Sequence, residues 1–302
     1  MHVFYADQFV LPLPEWHRFP MSKYRLLRER VQAELTGLEL RVPEPASDAD
    51  LRRAHTAGYV DRVVGGEVEA RAWRRVGFPW SPELVERSRR SVGGTLGAAR
   101  RALEDGSSVN LAGGTHHAFA DRGEGFCVFN DVAVATRVLQ AERRLERVLV
   151  VDLDVHQGNG TASIFRDDPS VFTLSLHGAR NYPFKKEESD LDVPLPDGTG
   201  DEDYLAALEA ALDRALPTAG ADFVFYLAGA DAFVGDRLGK LSVTRAGLER
   251  RDRMLFERCR DAGLPVAVVM AGGYAPDVDE TVAIHLSTVS LALKLRREVL
   301  RP

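Results

Sequence analysis

Asp152, Asp154 and His156 alternate with apolar residues along one short segment of the chain. Because alternate residues of an extended strand point to the same face, their three side chains share one side. The apolar run Val148–Val151 directly precedes them, which places the three groups at the end of a buried strand. Buried charges are costly unless they are paired or bind a metal, so this spacing predicts a metal site.

A third candidate ligand follows another apolar run. Asp231 ends a Gly-Ala-Asp sequence that comes directly after Phe223–Ala228. An Asp in this position alone is often a helix cap, but with Asp154 and His156 it would complete a set of two carboxylates and one imidazole. Such a set leaves a coordination position open, as catalytic metal sites do. Zn²⁺ and Fe²⁺ both accept these ligands, so the residues alone leave the ion open.

Two adjacent histidines and one tyrosine also follow glycine pairs at predicted strand ends. His116 and His117 come after a Gly-Gly-Thr segment, and Tyr274 comes after two glycines and the apolar run Val266–Ala271. Histidine is the side chain best suited to proton transfer near neutral pH, so the pair is a candidate general acid and base. The Tyr274 hydroxyl is a candidate donor to a developing oxyanion.

Apolar runs and amphipathic segments alternate along the chain, and they predict the elements that must position these groups. Buried strands are expected at Val109–Ala112, Val148–Leu153, Val171–Leu176, Phe223–Ala228 and Val266–Ala271. Helices are expected at Pro82–Glu104, Asp131–Arg144, Asp203–Leu216, Arg245–Ala262 and Pro276–Arg297. This alternation favours one α/β domain over residues 1–302, with a mostly parallel sheet sandwiched by helices. Ligands of such sheets bind beyond the carboxyl ends of the strands, and residues 178–202 are expected to form a long, functional loop.

Composition and charge restrict the class of protein. The 302 residues are 45% hydrophobic and 28% charged, which is typical of a globular domain and excludes a disordered chain. A net charge of −6 argues against direct binding to nucleic acid. No run approaches the roughly 20 apolar residues of a membrane span, and no leader pattern is visible, so we expect no membrane partner and a cytoplasmic location. The two cysteines, Cys127 and Cys259, form no disulfide framework, and a monomer is expected.

Taken in this order, the motifs Gly-Gly-x-His-His, Asp-x-Asp-x-His, Gly-x-Asp and Gly-Gly-Tyr resemble the zinc-dependent histone deacetylase family. The resemblance runs from about Tyr5 to about Leu293 and implies the arginase/deacetylase fold. Finer features are similar to class IV, the histone deacetylase eleven-like branch, and to its bacterial members: residues 121–127, 154–160 and 235–242, with His17, Phe19 and Lys23.

The resemblance implies a role for each motif. Asp154, His156 and Asp231 would hold Zn²⁺. Tyr274 would stabilise the tetrahedral oxyanion.

The proton-transfer groups follow from the same resemblance. His117 would be the general base and later the acid for the leaving amine, with Asn159 as its partner. His116 would be an electrostatic partner, held by Asp152. Several family members carry Asp where this chain has Asn159, so the pKa of His117 should be raised less here.

Two further sites are implied by the resemblance. Gly125 and Phe126, with Tyr182 opposite, would line a tunnel for the lysine stem. A structural K⁺ would lie near five residues: Asp152, Asp154, His156, Ser175 and Leu176.

The function implied is hydrolysis of the amide of Nε-acyl-lysine, with an acetyl or longer fatty acyl group, in a protein or peptide substrate. Two alternatives stay open. A small-molecule amidohydrolase acting on acetylpolyamines would need acidic groups at the tunnel entrance, for which Glu187, Glu188 and Asp190 are candidates. A non-catalytic module that binds acyl-lysine or a metal should have lost a ligand, the base or the tyrosine, and this chain retains all of them.

Overall fold

The computed structural model describes residues 1–14 and 17–299, with side chains up to residue 294. Within these residues eight strands form one sheet: β1 (His2–Phe4), β2 (Glu39–Arg41), β3 (Ser107–Asn110), β4 (Val148–Asp152), β5 (Val171–Gly178), β6 (Leu191–Leu195), β7 (Phe223–Leu227) and β8 (Val266–Val269). The helices described are α1 (Ser22–Glu34), α2 (Asp48–Leu51), α3 (Ala57–Gly65), α4 (Ala70–Trp73), α5 (Pro82–Asp105), α6 (Asp131–Ala141), α7 (Asn159–Phe165), α8 (Asp201–Ala219), α9 (Arg245–Asp261) and α10 (Val278–Val299).

The strands lie in the order β2-β1-β3-β8-β7-β4-β5-β6, and every pair is parallel. The five strands predicted from apolar runs are confirmed as β3, β4, β5, β7 and β8, which include the four central strands. Because the strands run in the same direction, their carboxyl ends meet at one edge of the sheet. That edge is where the polar motifs were expected.

Three strands were not predicted. β1 and β2 are only three residues long, too short to show an alternating pattern. β6 lies inside residues 178–202, so the prediction of an uninterrupted loop there is wrong. This strand contains Pro194 and pairs on one side only, with β5. An edge strand tolerates proline because one of its sides needs no backbone N–H donors.

Alternate residues of the central strands enter two separate hydrophobic cores. Leu149 and Val151 of β4 pack in one core with residues of α1, α8, α9 and α10. Val148 and Val150 pack in the other with residues of α5 and α6. This alternation follows from the period of two along a strand, and it confirms the predicted sheet sandwiched by helices.

The five predicted helices are confirmed as α5, α6, α8, α9 and α10, with ends that differ by a few residues. Local signals explain where three of them begin, since Ser81, Asn130 and Thr244 each accept a hydrogen bond from a backbone N–H in the first turn. α2 and α4 have four residues each and leave no periodic pattern in the sequence. None of the described helices combines the length and the apolar character that crossing a membrane requires.

Candidate active site

The four candidate motifs follow four neighbouring strands of the sheet. His116 and His117 follow β3, Tyr274 follows β8, and Asp231 follows β7. The segment that carries Asp154 and His156 leaves β4. Adjacent positions in the sheet therefore bring together residues that are far apart in the sequence.

Two carboxylates and one imidazole form a compact buried cluster. The candidate ligand atoms of Asp154, His156 and Asp231 all lie within 4.8 Å of one another. His156 Nδ1 is 2.9 Å from Asp154 Oδ1 and 3.2 Å from Asp231 Oδ2. The structure thus brings together the three predicted metal ligands, with Nδ1 as the imidazole nitrogen that faces the carboxylates.

Backbone groups hold the two carboxylates in place. The N–H of Gly272 donates to Asp154 Oδ2 at 2.7 Å, and the N–H of Val155 donates to Asp231 Oδ1 at 2.9 Å. A Cβ atom at position 272 would lie 1.9 Å from Asp231 Oδ2, so only glycine allows this close approach. These contacts fix the positions of two of the three candidate ligands.

Two buried carboxylates beside one imidazole form a set of ligands that suits a cation. Burial, and then the Asp154 carboxylate, raise the pKa of Asp231 to about 7. Burial opposes the charged form of His156, but hydrogen bonds to Asp154 and Asp231 outweigh it and raise the pKa of His156 to about 10. The cluster without metal therefore favours bound protons, and a divalent cation that displaces them would bind the same oxygen and nitrogen atoms. The described residues fit a metal ion with two carboxylates and one histidine.

The two adjacent histidines have different partners. His116 Nδ1 lies 2.6 Å from Asp152 Oδ2, and His117 Nδ1 lies 2.7 Å from Asn159 Oδ1. Their ring centres are 4.1 Å apart, and both residues are buried. All four residues thus stand in the pairs that the sequence resemblance implied.

Burial and the neighbouring charges separate the pKa values of the two histidines. Burial disfavours the charged form of His116, but the carboxylates of Asp152 and Asp154 outweigh it and raise its pKa to about 9. Burial, and then the charges of His116 and His156, hold the pKa of His117 well below its usual range. Near neutral pH His117 is neutral, and its Nδ1–H donates to Asn159, which leaves Nε2 as a free acceptor.

Tyr274 is held through its backbone and its ring. Its N–H donates to Asp236 Oδ2 at 2.6 Å, and its carbonyl accepts from Arg237 Nε at 3.3 Å. Its ring lies 6.1 Å from the Phe126 ring and 6.4 Å from the His156 ring, measured between centres. Burial raises the pKa of the Tyr274 hydroxyl well above its usual value, so the hydroxyl keeps its proton and is a hydrogen-bond donor.

A cavity of about 390 Å³ opens from the protein surface onto these groups. Its walls include His117, His156, Tyr274 and the three predicted tunnel residues, Gly125, Phe126 and Tyr182.

The cavity walls depend on close packing around His117. A Cβ atom at position 125 would lie 2.5 Å from His117 Cδ2, and Gly125 adopts a left-handed φ of 54°. The Tyr182 ring stands edge-on to His117, with 4.9 Å between ring centres. The Tyr182 hydroxyl donates to Glu124 Oε2 at 3.0 Å, which fixes this wall.

The residues expected around a structural K⁺ lie on two adjoining strands. Asp152 of β4 is in register with Ser175 of β5, and Leu176 follows on β5. Asp154 and His156 come directly after β4. The Asp154 N–H donates to Asp152 Oδ1 at 3.2 Å, so the chain turns tightly there. The five residues share one region, and their role toward K⁺ stays a prediction.

Besides Tyr182, the side chain of Gln157 connects residues 178–202 to the site. Gln157 Nε2 donates to the Glu187 carbonyl at 2.7 Å and to Asp192 Oδ1 at 2.8 Å. The Glu187 N–H donates back to Gln157 Oε1 at 2.9 Å. This segment therefore packs against the residue that follows the candidate ligand His156.

The acidic residues considered for a polyamine-binding entrance do not line the cavity: Glu187, Glu188 and Asp190. The Glu187 carboxylate pairs with Arg166, and Asp190 accepts hydrogen bonds from the backbone and hydroxyl of Thr173. The described part of the cavity wall therefore lacks the acidic side chains that a polyamine-binding entrance would need.

Asp236, Lys23 and Glu124 contribute to the site in ways the sequence did not indicate. Each lies within or next to a segment that resembles class IV, but neither pattern nor spacing assigns it a partner. Asp236 fixes the Tyr274 backbone, and Lys23 packs against its ring. Glu124 holds Tyr182.

The chain is similar in sequence to several known proteins. The chain is 47% identical over 285 residues to an uncharacterised protein of Picosynechococcus sp., covering 94% of this chain and 95% of the relative. It is 32% identical to histone deacetylase 2 of Arabidopsis thaliana, covering 94% of this chain and 76% of the relative.

One solved structure shows the same fold. The crystal structure of the HDA15 HD domain matches with a TM-score of 0.81 and 24% sequence identity, covering 99% of this chain and 95% of that chain. The eight-stranded parallel sheet is thus consistent with the arginase/deacetylase fold. The histone deacetylase domain family matches residues 17–289, and the chain belongs to that family.

Proposed function

We propose that this protein is a zinc-dependent lysine deacylase, which hydrolyses the amide of Nε-acyl-lysine in proteins or peptides. Family membership supports a deacetylase-like hydrolase. The observation that carries the finer proposal is one cavity whose walls combine His117, Tyr274 and the metal-cluster residue His156. In the proposed reaction this combination would provide a base, an oxyanion donor and a binding place for a Lewis acid around one cavity.

Asp154, His156 and Asp231 would hold the metal ion, through the carboxylate oxygens and Nδ1 that converge in the cluster. When bound, Zn²⁺ would supply Lewis-acid activation of the amide carbonyl and of the attacking water. Iron(II) suits the same ligands and is the alternative ion.

His117 would move the protons of the reaction. Its Nδ1–H is engaged by Asn159, so Nε2 accepts a proton from the attacking water and later delivers it to the leaving amine. An amide needs both transfers, because an amine leaves poorly unless it is protonated. Asn159 would orient the imidazole and fix its tautomer.

His116 and Tyr274 would influence the charges of the reacting groups. The His116 imidazolium, held by Asp152, stands 4.1 Å from the His117 ring, measured between centres, and keeps that ring neutral before reaction. The protonated Tyr274 hydroxyl would donate to the carbonyl oxygen as it gains negative charge. Gly125, Phe126 and Tyr182 would enclose the lysine stem and exclude water.

The finer classification is also part of the proposal. A bacterial-type class IV enzyme is supported by the similarity to class IV of residues 121–127, 154–160 and 235–242. We therefore include long fatty acyl groups among the proposed substrates. We further propose a structural K⁺ near Asp152 and Ser175, a monomeric state and a cytoplasmic location. Nucleic acids and membranes are not among the proposed partners.

The test is a set of amide-release assays on one lysine peptide that carries an acetyl, octanoyl or myristoyl group, with acetylspermidine in parallel. We expect release from the peptide that is lost on chelation and restored by zinc. Tyr274→Phe should reduce it by roughly a hundredfold or more, because one oxyanion donor is lost. Release from acetylspermidine alone would contradict the proposal, and metal-bound protein with no turnover would support the binding-module alternative.

A further inference from the structure

The entrance of the cavity is basic. Among the described residues that line it, four carry a formal positive charge and none is Asp or Glu; we call these four the basic rim: Arg18, Arg75, Arg180 and Lys240. The whole chain has a net charge of −6, so the rim does not reflect the average composition. A local excess of one sign at an opening attracts groups of the opposite sign.

Two of the rim residues have acidic neighbours but remain largely exposed. Arg75 Nη1 lies 3.7 Å from Glu124 Oε1, and Arg180 Nη2 lies 2.9 Å from Asp197 Oδ2. The Arg75 and Arg180 side chains are still 66% and 75% exposed. Glu124 is mostly buried and already accepts from Arg122 and Tyr182, so it neutralises Arg75 only in part.

The other two rim residues form no ion pair with a described carboxylate. Lys240 Nζ donates to the Arg180 carbonyl at 3.0 Å, and both Lys240 and Arg18 are exposed. Phe184, which is 89% exposed, adds an apolar surface beside them. The rim thus offers positive charges and one aromatic ring to whatever lies across the entrance.

The rim is built from separate segments, which argues for an extended ligand. Arg18 precedes α1, Arg75 follows α4, Arg180 follows β5 and Lys240 lies between β7 and α9. These positions give the opening positive charge from several parts of the chain. A polypeptide that inserts its acyl-lysine would place its neighbouring residues on this rim, whereas a cationic polyamine would be repelled by it.

We infer that the basic rim selects acyl-lysines flanked by acidic side chains, a specificity that rests on the proposed deacylase function. Exposed ion pairs contribute modestly, and two flanking acids should raise kcat/KM by roughly three- to tenfold over neutral flanks. The gain should lie mainly in KM, since the rim contacts the substrate away from the reacting amide. It should shrink at high salt, because the screening length falls to about 3 Å at 1 M.

The test uses the metal-loaded full chain and four peptides with the same acyl-lysine. Three carry Asp, Asn or Lys on both sides of it, and the fourth carries it as the C-terminal residue. We expect kcat/KM to fall from the Asp to the Asn to the Lys peptide. The Arg18→Gln/Arg180→Gln double variant, which keeps Arg75 and Lys240, should lower the Asp-to-Asn ratio, and Arg180→Glu should favour the Lys peptide relative to wild type. Arg253→Gln, an exposed arginine on α9, is the matched control and should keep the wild-type ratio.

Equal kcat/KM on the Asp, Asn and Lys peptides would overturn the inference alone. So would a preference that neither salt nor the rim variants change, or a preference for the C-terminal acyl-lysine only. Absence of turnover on all four peptides would instead count against the proposed deacylase function, and the inference would fall with it.

Discussion

The Lys23 ammonium lies 5.3 Å from the centre of the Tyr274 ring. It also donates to the carbonyls of Ala271 and Gly273, at 3.3 Å each. Lys23 is only 2% exposed, and no described carboxylate pairs with it. Burying a positive charge without an anion is energetically costly. Lys23 nevertheless binds the two carbonyls next to Tyr274, so it fixes the segment that carries the candidate oxyanion donor.

We expect Lys23→Met to reduce kcat about tenfold or more, because the segment before Tyr274 loses two hydrogen bonds and the ring loses its cationic neighbour. KM should change less, since Lys23 does not line the cavity. Lys23→Arg retains both the charge and the donors and should recover part of kcat. Steady-state kinetics and thermal melts check this, and a fall in kcat matched by loss of folding in both variants would contradict a positioning role.

The partner of His117 gives a prediction about pH. The general base must be neutral, so activity is present above its pKa and is lost as the pH falls through it. Asn159→Asp would place a negative charge next to the Nδ1–H of His117, which would raise the pKa of His117. The acidic limb of the kcat/KM profile should therefore move to higher pH, by about one unit.

Asn159→Leu is the control for this change, because it removes the acceptor without adding charge. It should lower activity while leaving the acidic limb at or below its wild-type position. Identical limbs in the Asp and Leu variants would show that residue 159 does not tune His117.

Metal binding should be visible in stability as well as in activity. A ligand at a hundred times its Kd stabilises the folded state by about 2.7 kcal/mol, which for a chain of this size raises Tm by about 4 °C. We expect chelated protein to show that rise when zinc is added. Asp231→Asn should abolish the rise, whereas Asp213→Asn, on the exposed face of α8, should retain it. A full rise in the Asp231 variant would exclude this carboxylate as a ligand.

A second pH effect arises outside the cavity, at His55. Its Nδ1 bonds the Phe119 carbonyl at 2.9 Å, and its Nε2 accepts from the Asn130 N–H at 2.9 Å. This arrangement fits only the neutral ring, and burial lowers the pKa of His55 to about 4. The unfolded chain binds this proton more readily, so stability contributed by His55 is present above about pH 6.5 and declines as the pH falls toward 4.

We expect His55→Gln to be less stable than wild type at pH 7.5 and to lose less stability between pH 7.5 and 5. Urea unfolding of the chelated proteins at the two pH values measures the difference. A parallel decline in both proteins would assign the acid sensitivity to other groups.

Sequence reasoning predicted that the candidate site residues lie close together, because they stand where buried strands end. Asp154 and His156 could be placed on one face from the period of two, and parallel strands bring Asp231 to the same edge. The side chains that pack around the site could not be predicted in this way. The contact between Lys23 and Ala271 joins residues 248 positions apart, and no local pattern encodes which distant carbonyl a lysine will meet.

Residues 178–202 show the same limit. Their prolines and charges predicted a loop, but β6 forms because β5 offers an unpaired edge, which is a property of the assembled sheet. The charge at the entrance also could not be predicted from the sequence. Glu187, Glu188 and Asp190 were candidates for an acidic entrance only under the polyamine alternative. In the fold Glu187 pairs with Arg166 and Asp190 binds Thr173, and the described residues at the entrance are basic instead.

The order of the strands has a consequence for synthesis. The sheet neighbours β3, β8, β7 and β4 supply the site, but β8 and Tyr274 leave the ribosome long after β3 and β4. A nascent chain that ends before residue 272 has neither the Gly272 N–H that holds Asp154 nor Tyr274. The growing chain thus lacks the complete candidate site until nearly all of it has been made, and premature release yields fragments without that site.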